Sequence, residues 1–200
     1  LSLPNTAYAI ETYYLICTSE VSSNMSRYDG VRFGARENAS ELGALISETR
    51  DQGFGSEVKR RILLGTFCLS KGCYDAFYLK ALKTRTLITK DFTDAFQRVD
   101  VLATPVSPTL PFRLGEKLQD PMAMYLADVF TVTPALAALP CMSVPAGFAE
   151  DPATSRPLPV GLQLIGPHLS DVRLLELAHT FQQMTEHHLA RPLDLASSRQ

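Results

Sequence analysis

Histidine and cysteine are scarce in this sequence of 200 residues, four of each, and neither is arranged as a metal site. Cys17, Cys68, Cys73 and Cys141 form no C-x-x-C pair. His168, His179, His187 and His188 stand at no zinc-ligand spacing from them. Four cysteines in a chain of this length make no disulfide framework either, so four reduced, mostly buried thiols are expected. Positive charge is not in excess: 19 Lys and Arg against 21 Asp and Glu leave a net charge of -2. That removes the electrostatic basis for binding nucleic acid unaided. No apolar run approaches the roughly 18 residues of a membrane span. The opening Leu1-Ser-Leu-Pro-Asn-Thr6 has neither the basic nor the apolar region of a signal peptide and reads as the middle of a longer chain. Repeats and low-complexity tracts are missing, as are a G-x-S-x-G elbow, a phosphate-cradling glycine loop, a Walker motif and H-E-x-x-H. The residues alone therefore describe a soluble α/β piece without a recognisable nucleophile.

What is present is an ordinary globular composition, 46% hydrophobic and 20% charged. The first half reads as helices. From Thr6 to about Arg27, Ala7, Ile10, Tyr14, Cys17 and Val21 recur every three or four residues. A second helix is expected over Glu41 to Arg50, and a third from about Glu57 to Leu69 with Ser56 as its cap. A long helix from Tyr74 to about Arg98 carries Phe77, Ala81, Thr84, Ile88, Phe92 and Ala95 on one face. Its basic residues Lys80, Lys83, Arg85 and Lys90 read as a solvated side.

The second half alternates. Short apolar runs at Asp100–Pro105, Cys141–Pro145 and Val160–Ile165 read as strands. A helix from Pro121 to about Leu139 should kink or end at Pro134, and a last one is capped by Asp171. Strands separated by helices predict an α/β fold, a mixed β-sheet core covered by helices.

Several segments, taken in order, resemble one family. They are Tyr13-Tyr14 followed by Ser22-Ser23-Asn24, Arg27-Tyr-Asp-Gly-Val-Arg-Phe-Gly34, Gly53-Phe-Gly-Ser-Glu-Val-Lys-Arg-Arg-Ile62 and Tyr74-Asp-Ala-Phe-Tyr78. Asp100–Pro105, Asp120-Pro-Met-Ala-Met-Tyr125 with Asp128, Leu139–Pro145 and Leu158–Gly166 complete the series. The chain resembles the amidase-signature enzymes, and within them the A subunits of the glutamyl/aspartyl-tRNA amidotransferases, from Leu1 to about His188. Thr133-Pro134-Ala135, Ala137-Ala138 and Cys73 depart from the family pattern without removing a recognised ligand.

The resemblance implies that residues 1–200 are the C-terminal portion of a single amidase-signature domain, with 189–200 a frayed tail. The family's Ser-Ser-Lys catalytic set would lie upstream of Leu1, which implies that the fragment alone is inactive. It implies a glutaminase that supplies ammonia for amidating misacylated tRNA, in a cytoplasmic heterotrimer with B and C subunits. The B subunit would use ATP and Mg²⁺ and hold the tRNA; no cofactor is implied on this stretch. By resemblance, Tyr13, Arg61 and Asp128 hold free glutamine. Arg presents a planar fork to the carboxylate, Asp accepts from the ammonium, and tyrosine adds a hydroxyl and a wall. Without the resemblance, Arg61 reads as the i,i+4 partner of Glu57 in a surface ion pair, Asp128 as an exposed helical acid, and Tyr13 with Tyr14 as core aromatics. A stand-alone amidase-signature hydrolase acting on apolar or aryl amides, and a non-catalytic scaffold fragment, are the alternatives.

Overall fold

The computed structural model describes residues 1–117 and 120–191, so most of the tail over 189–200 lies outside the described residues. They gather into two compact units, Ala7–Leu87 and Leu1–Thr6 with the residues from Ile88 onward.

The first unit is helical: α1 (Ala9–Met25), α2 (Leu42–Gly53), α3 (Ser56–Cys68), a wider π turn (Tyr74–Leu79) and the start of α4 (Lys80–Phe96). The apolar stripe read on α1 is not its buried face. Ile10, Tyr14, Cys17 and Val21 are half-buried or less and Ala7 is exposed, whereas Ala9, Thr12, Ile16, Thr18 and Ser19 are buried. The hydroxyls can go inside because each bonds its own helix: Thr18 Oγ1 donates to Tyr14 O at 2.6 Å and Ser19 Oγ to Leu15 O at 2.7 Å. Small side chains there allow α3 to come close. Gly65 faces Thr18, and Ser22 Oγ lies 2.9 Å from Thr66 Oγ1. From α2, Arg50 Nη1 donates to Met25 O at 2.7 Å and Tyr28 O at 3.2 Å, satisfying carbonyls at and beyond the end of α1. Ser56 is the first residue of α3 and not its cap; Gly55 takes that position, and Glu57 places negative charge in the first turn.

The second unit holds a small sheet of β1 (Leu102–Pro105), β2 (Cys141–Glu150) and β3 (Pro157–Ile165), in the order β1-β3-β2. Helices and sheet together make the α/β class that the sequence predicts. Both pairings are antiparallel, however, so the mixed sheet expected from sequence is not formed by these strands. The cause is local: β2 and β3 are arms of one hairpin, closed where Asp151 N donates to Arg156 O at 2.9 Å. Gly147, at φ 111°, sits in a bulge where the register shifts between Pro145 and Phe148. The prolines Pro105 and Pro145 fall on the outer strands, where their missing N–H costs least.

Alternation along β3 sends Leu164 to one face, where Val144 joins Leu174 and Ala178 of α7 (Asp171–Met184) in a buried cluster. Asp171 begins α7 and Ser170 takes the cap position, its hydroxyl donating to Pro167 O at 2.7 Å. In α4, Ala81, Ile88, Phe92 and Ala95 are buried as the spacing predicts, while Phe77 stands 38% exposed in the π turn ahead of it. Of the four thiols, all free, only Cys68 is buried. Cys17 and Cys73 are half-buried and Cys141 is exposed, against the expectation that most are buried.

Where one helix was read over Pro121 to Leu139 there are two, α5 (Pro121–Leu126) and α6 (Val129–Leu136), with Pro134 inside the second. A proline at 134 cannot donate to the carbonyl of Phe130 four residues earlier. The buried Gln163 of β3 replaces the missing donor: its Nε2 donates to Phe130 O at 2.8 Å and to Thr104 Oγ1 of β1 at 3.3 Å. Gln163→Leu removes both bonds while keeping the bulk. It is expected to destabilise the complete protein by about 1–2 kcal/mol, seen as a lower urea midpoint, and an unchanged midpoint would refute the role.

Candidate functional site

Arg61 lies on the second turn of α3, four residues after Glu57, and the ion pair that this spacing predicts is present. Arg61 Nε donates to Glu57 Oε1 at 3.0 Å. The other carboxylate oxygen, Oε2, accepts from Arg60 Nη1 at 2.5 Å. Glu57 is thus held between two guanidinium groups. The Arg61 side chain is 31% exposed, and its carbon Cζ lies 5.8 Å from the centre of the Tyr14 ring, within cation–π range. Burial works against the charged form of Arg61, but the hydrogen bond and charge of Glu57 outweigh it and hold its pKa above the ordinary value. The guanidinium therefore stays charged around neutral pH.

Tyr13 and Tyr14, successive on α1, pack edge to face with ring centres 5.2 Å apart and planes at 84°. Tyr13 is the tyrosine that the resemblance assigns to the pocket; the ring against Arg61 is that of Tyr14. Adjacent helical residues point about 100° apart, so only one of the two can face a given neighbour directly. Nothing in the spacing of α1 says which, because Arg61 arrives from another helix.

Asp128, from the second unit, is exposed and occupies the junction between α5 and α6. Two aspartates stand at the two helix starts and behave differently. Asp120 commits Oδ1 to Met122 N at 3.0 Å and Ala123 N at 3.1 Å, capping α5. Asp128 occupies the equivalent position before α6, yet its side chain makes no capping bond. Its backbone carbonyl is engaged instead, accepting from Thr131 N at 3.0 Å and Val132 N at 2.9 Å. A carboxylate left over at a position where it could have capped is available to a cationic group.

A cavity of about 350 Å³ beside β1 offers a contrast. Leu1, Leu3, Phe92, Leu102, Phe130 and Ile165 dominate its wall, with threonine hydroxyls and no charged residue. It suits an apolar group and has nothing to hold the two ends of a zwitterion.

These placements meet known proteins at the level of sequence and of structure. A family model described as Amidase matches residues 1–175. The A subunit of the glutamyl-tRNA(Gln) amidotransferase of Moorella thermoacetica is 54% identical over 191 residues, covering 96% of this chain and 38% of that protein. Its namesake from Nitrosococcus oceani is 56% identical over 189 residues, covering 94% of the chain and 38% of its own length. Among solved structures, the Thermotoga maritima protein of the same name superposes with a TM-score of 0.57 at 36% identity, over 86% of this chain and 31% of that one. A bacterial aryl acylamidase, at 18% identity and a TM-score of 0.56 over 96% of the chain and 39% of its own, shares the fold. The chain spans about two fifths of the length of the curated relatives it matches. With the matched region running from the first residue through β3 and into α7, the chain belongs to the amidase family.

Proposed function

We propose that this chain is the substrate-holding portion of a glutamine-hydrolysing A subunit of an aminoacyl-tRNA amidotransferase. The observation that carries the reading is Arg61, a charged, partly buried guanidinium braced by Glu57 and Tyr14. Free glutamine is a zwitterion, and its carboxylate matches the planar fork of Arg61. Asp128, uncommitted as a cap, would accept from the ammonium, and Tyr13 would line the pocket. Relatives named as amidotransferase subunits, at 54% and 56% identity, support the same reading.

The chemistry requires a serine nucleophile from a longer protein, outside these 200 residues. It would attack the side-chain amide of glutamine, expel ammonia and leave a glutamyl ester that water hydrolyses. Ammonia would pass to a B subunit that uses ATP and Mg²⁺ to activate the acyl group on misacylated tRNA, with a C subunit completing a cytoplasmic heterotrimer. The net charge of -2 is in keeping with leaving the tRNA to that partner.

Asp128→Asn tests the reading in the complete complex. The amide keeps the shape and loses the charge facing the ammonium. Glutamine-dependent kcat/KM is expected to fall about tenfold, as for loss of one charge-assisted hydrogen bond, with ammonia-driven amidation unchanged. A stand-alone amidase acting on an uncharged amide would show no such dependence on Asp128.

A further inference from the structure

A guanidinium can meet a carboxylate through two edges, one built from Nε with a terminal nitrogen and one from Nη1 with Nη2. In Arg61 the first edge is already taken, since Nε donates to Glu57 Oε1 at 3.0 Å. Its Cζ lies over the Tyr14 ring, 5.8 Å from the ring centre. Neither terminal nitrogen makes a hydrogen bond or ion pair to a described residue, and the side chain is 31% exposed, so the Nη1/Nη2 edge is open to a ligand. Glu57 is itself fixed, because Oε2 accepts from Arg60 Nη1 at 2.5 Å. The result is a chain of contacts from Arg60 through Glu57 to Arg61 along one helix, closed on the side by a ring from α1.

We propose that Glu57 is a positioning residue that holds Arg61 by its Nε, so that the terminal Nη1/Nη2 edge meets the α-carboxylate of glutamine. The inference rests on the reading of Arg61 as the carboxylate anchor. Glu57 touches no substrate; it removes the rotamer freedom that a long arginine would otherwise lose on binding. Exposed ion pairs contribute little to folding, so the effect should appear in binding and not in the yield of protein.

Three variants of the complete complex separate the possibilities: Glu57→Ala, Glu57→Gln and Arg61→Ala, each assayed with glutamine and with ammonia. Glu57→Ala is expected to raise KM for glutamine about tenfold, with kcat within about twofold and ammonia-driven activity unchanged. Glu57→Gln keeps an oxygen that accepts from Nε and should stay within about threefold of the parent. That rescue is something a bulk charge effect would not give. If Arg61→Ala raises KM and Glu57→Ala does not, the positioning role is overturned while the glutamine reading stands. If Arg61→Ala leaves KM unchanged, both fall together. Loss of both activities in Glu57→Ala, with Glu57→Gln equally impaired, would mark the pair as structural and overturn the proposal.

Discussion

On the proposed function, Arg61→Ala is expected to lower glutamine-dependent kcat/KM of the complete protein with its partners by about thirtyfold or more and to leave ammonia-driven amidation within about twofold. Removing one member of a desolvated charge pair costs about 2–5 kcal/mol, because the partner is left unpaired. Arg61 is 31% exposed, so water would take over part of its task, and the lower end of that range applies. About 2 kcal/mol corresponds to roughly thirtyfold. On that reading ammonia would enter after glutamine hydrolysis, so a defect confined to glutamine points to the cradle, whereas a folding defect lowers both activities with the yield of protein. A change of less than about twofold with glutamine would make Arg61 a surface residue and favour a single-chain amidase.

The second large effect comes from the crossing of α1 and α3. A Cβ built on Gly65 would lie 1.9 Å from the carbonyl oxygen of Thr18, 2.5 Å from its carbon and 2.8 Å from Ser22 Cβ. Alanine favours a helix over glycine by about 1 kcal/mol, which argues for stabilisation. The clash wins, because its main partner is backbone and cannot rotate away. One helix must shift, and overpacking of this kind costs about 1–3 kcal/mol or more. Gly65→Ala should therefore lower the Tm of the complete protein. It should also weaken glutamine use, since Tyr14 and Arg61 sit on the two helices being pushed apart. Gly43→Ala in α2 is the control: its Cβ would meet nothing within 4 Å, so Tm should hold or rise slightly. Equal behaviour of the two variants would show that the close approach carries no weight.

How much of this was legible in the sequence depended on whether a pattern answered to its own element or to a neighbour. Ala81, Ile88, Phe92 and Ala95 repeat at helical spacing, and all four are buried. The three strands appeared near their expected places, and the Pro/Asp/Ser-rich stretch between Pro145 and Val160, which reads as a hairpin-like excursion, does join β2 and β3 as one hairpin, with both strands longer than their apolar runs. The face of α1 was misjudged because hydropathy ranks tyrosine and valine above threonine and serine. What decided burial was the room left by Gly65 and the local bonds of Thr18 and Ser19. Pro134 announced an early end, and α6 stops at Leu136, but the donor that replaces the lost N–H, a glutamine 33 residues from Phe130 in sequence, had no local signal. At the site, the Glu57–Arg61 pair follows from i,i+4 spacing alone, but Tyr14 over Arg61 is a tertiary contact without a local signal. The sparing of Asp128 from capping was equally hidden, because Asp120 has the same residue type in the same position and is not spared.

The strand order β1-β3-β2 also dictates a sequence of events during synthesis. β1 and β2 do not pair with each other; each waits for β3, the last of the three to leave the ribosome. At about 5–20 residues per second, β1 spends several seconds without its β3 partner before Ile165 is made. The α1–α3 pair can close long before, from segments that emerge earlier. Arrival of β3 then does two things at once: it zips both outer strands and delivers Gln163 to the carbonyl of Phe130, and α7, made next, completes the apolar cluster. A nascent chain halted before Pro157 would carry helices and two of the strands but none of the pairings that β3 makes, and would be the species most exposed to chaperones and proteases.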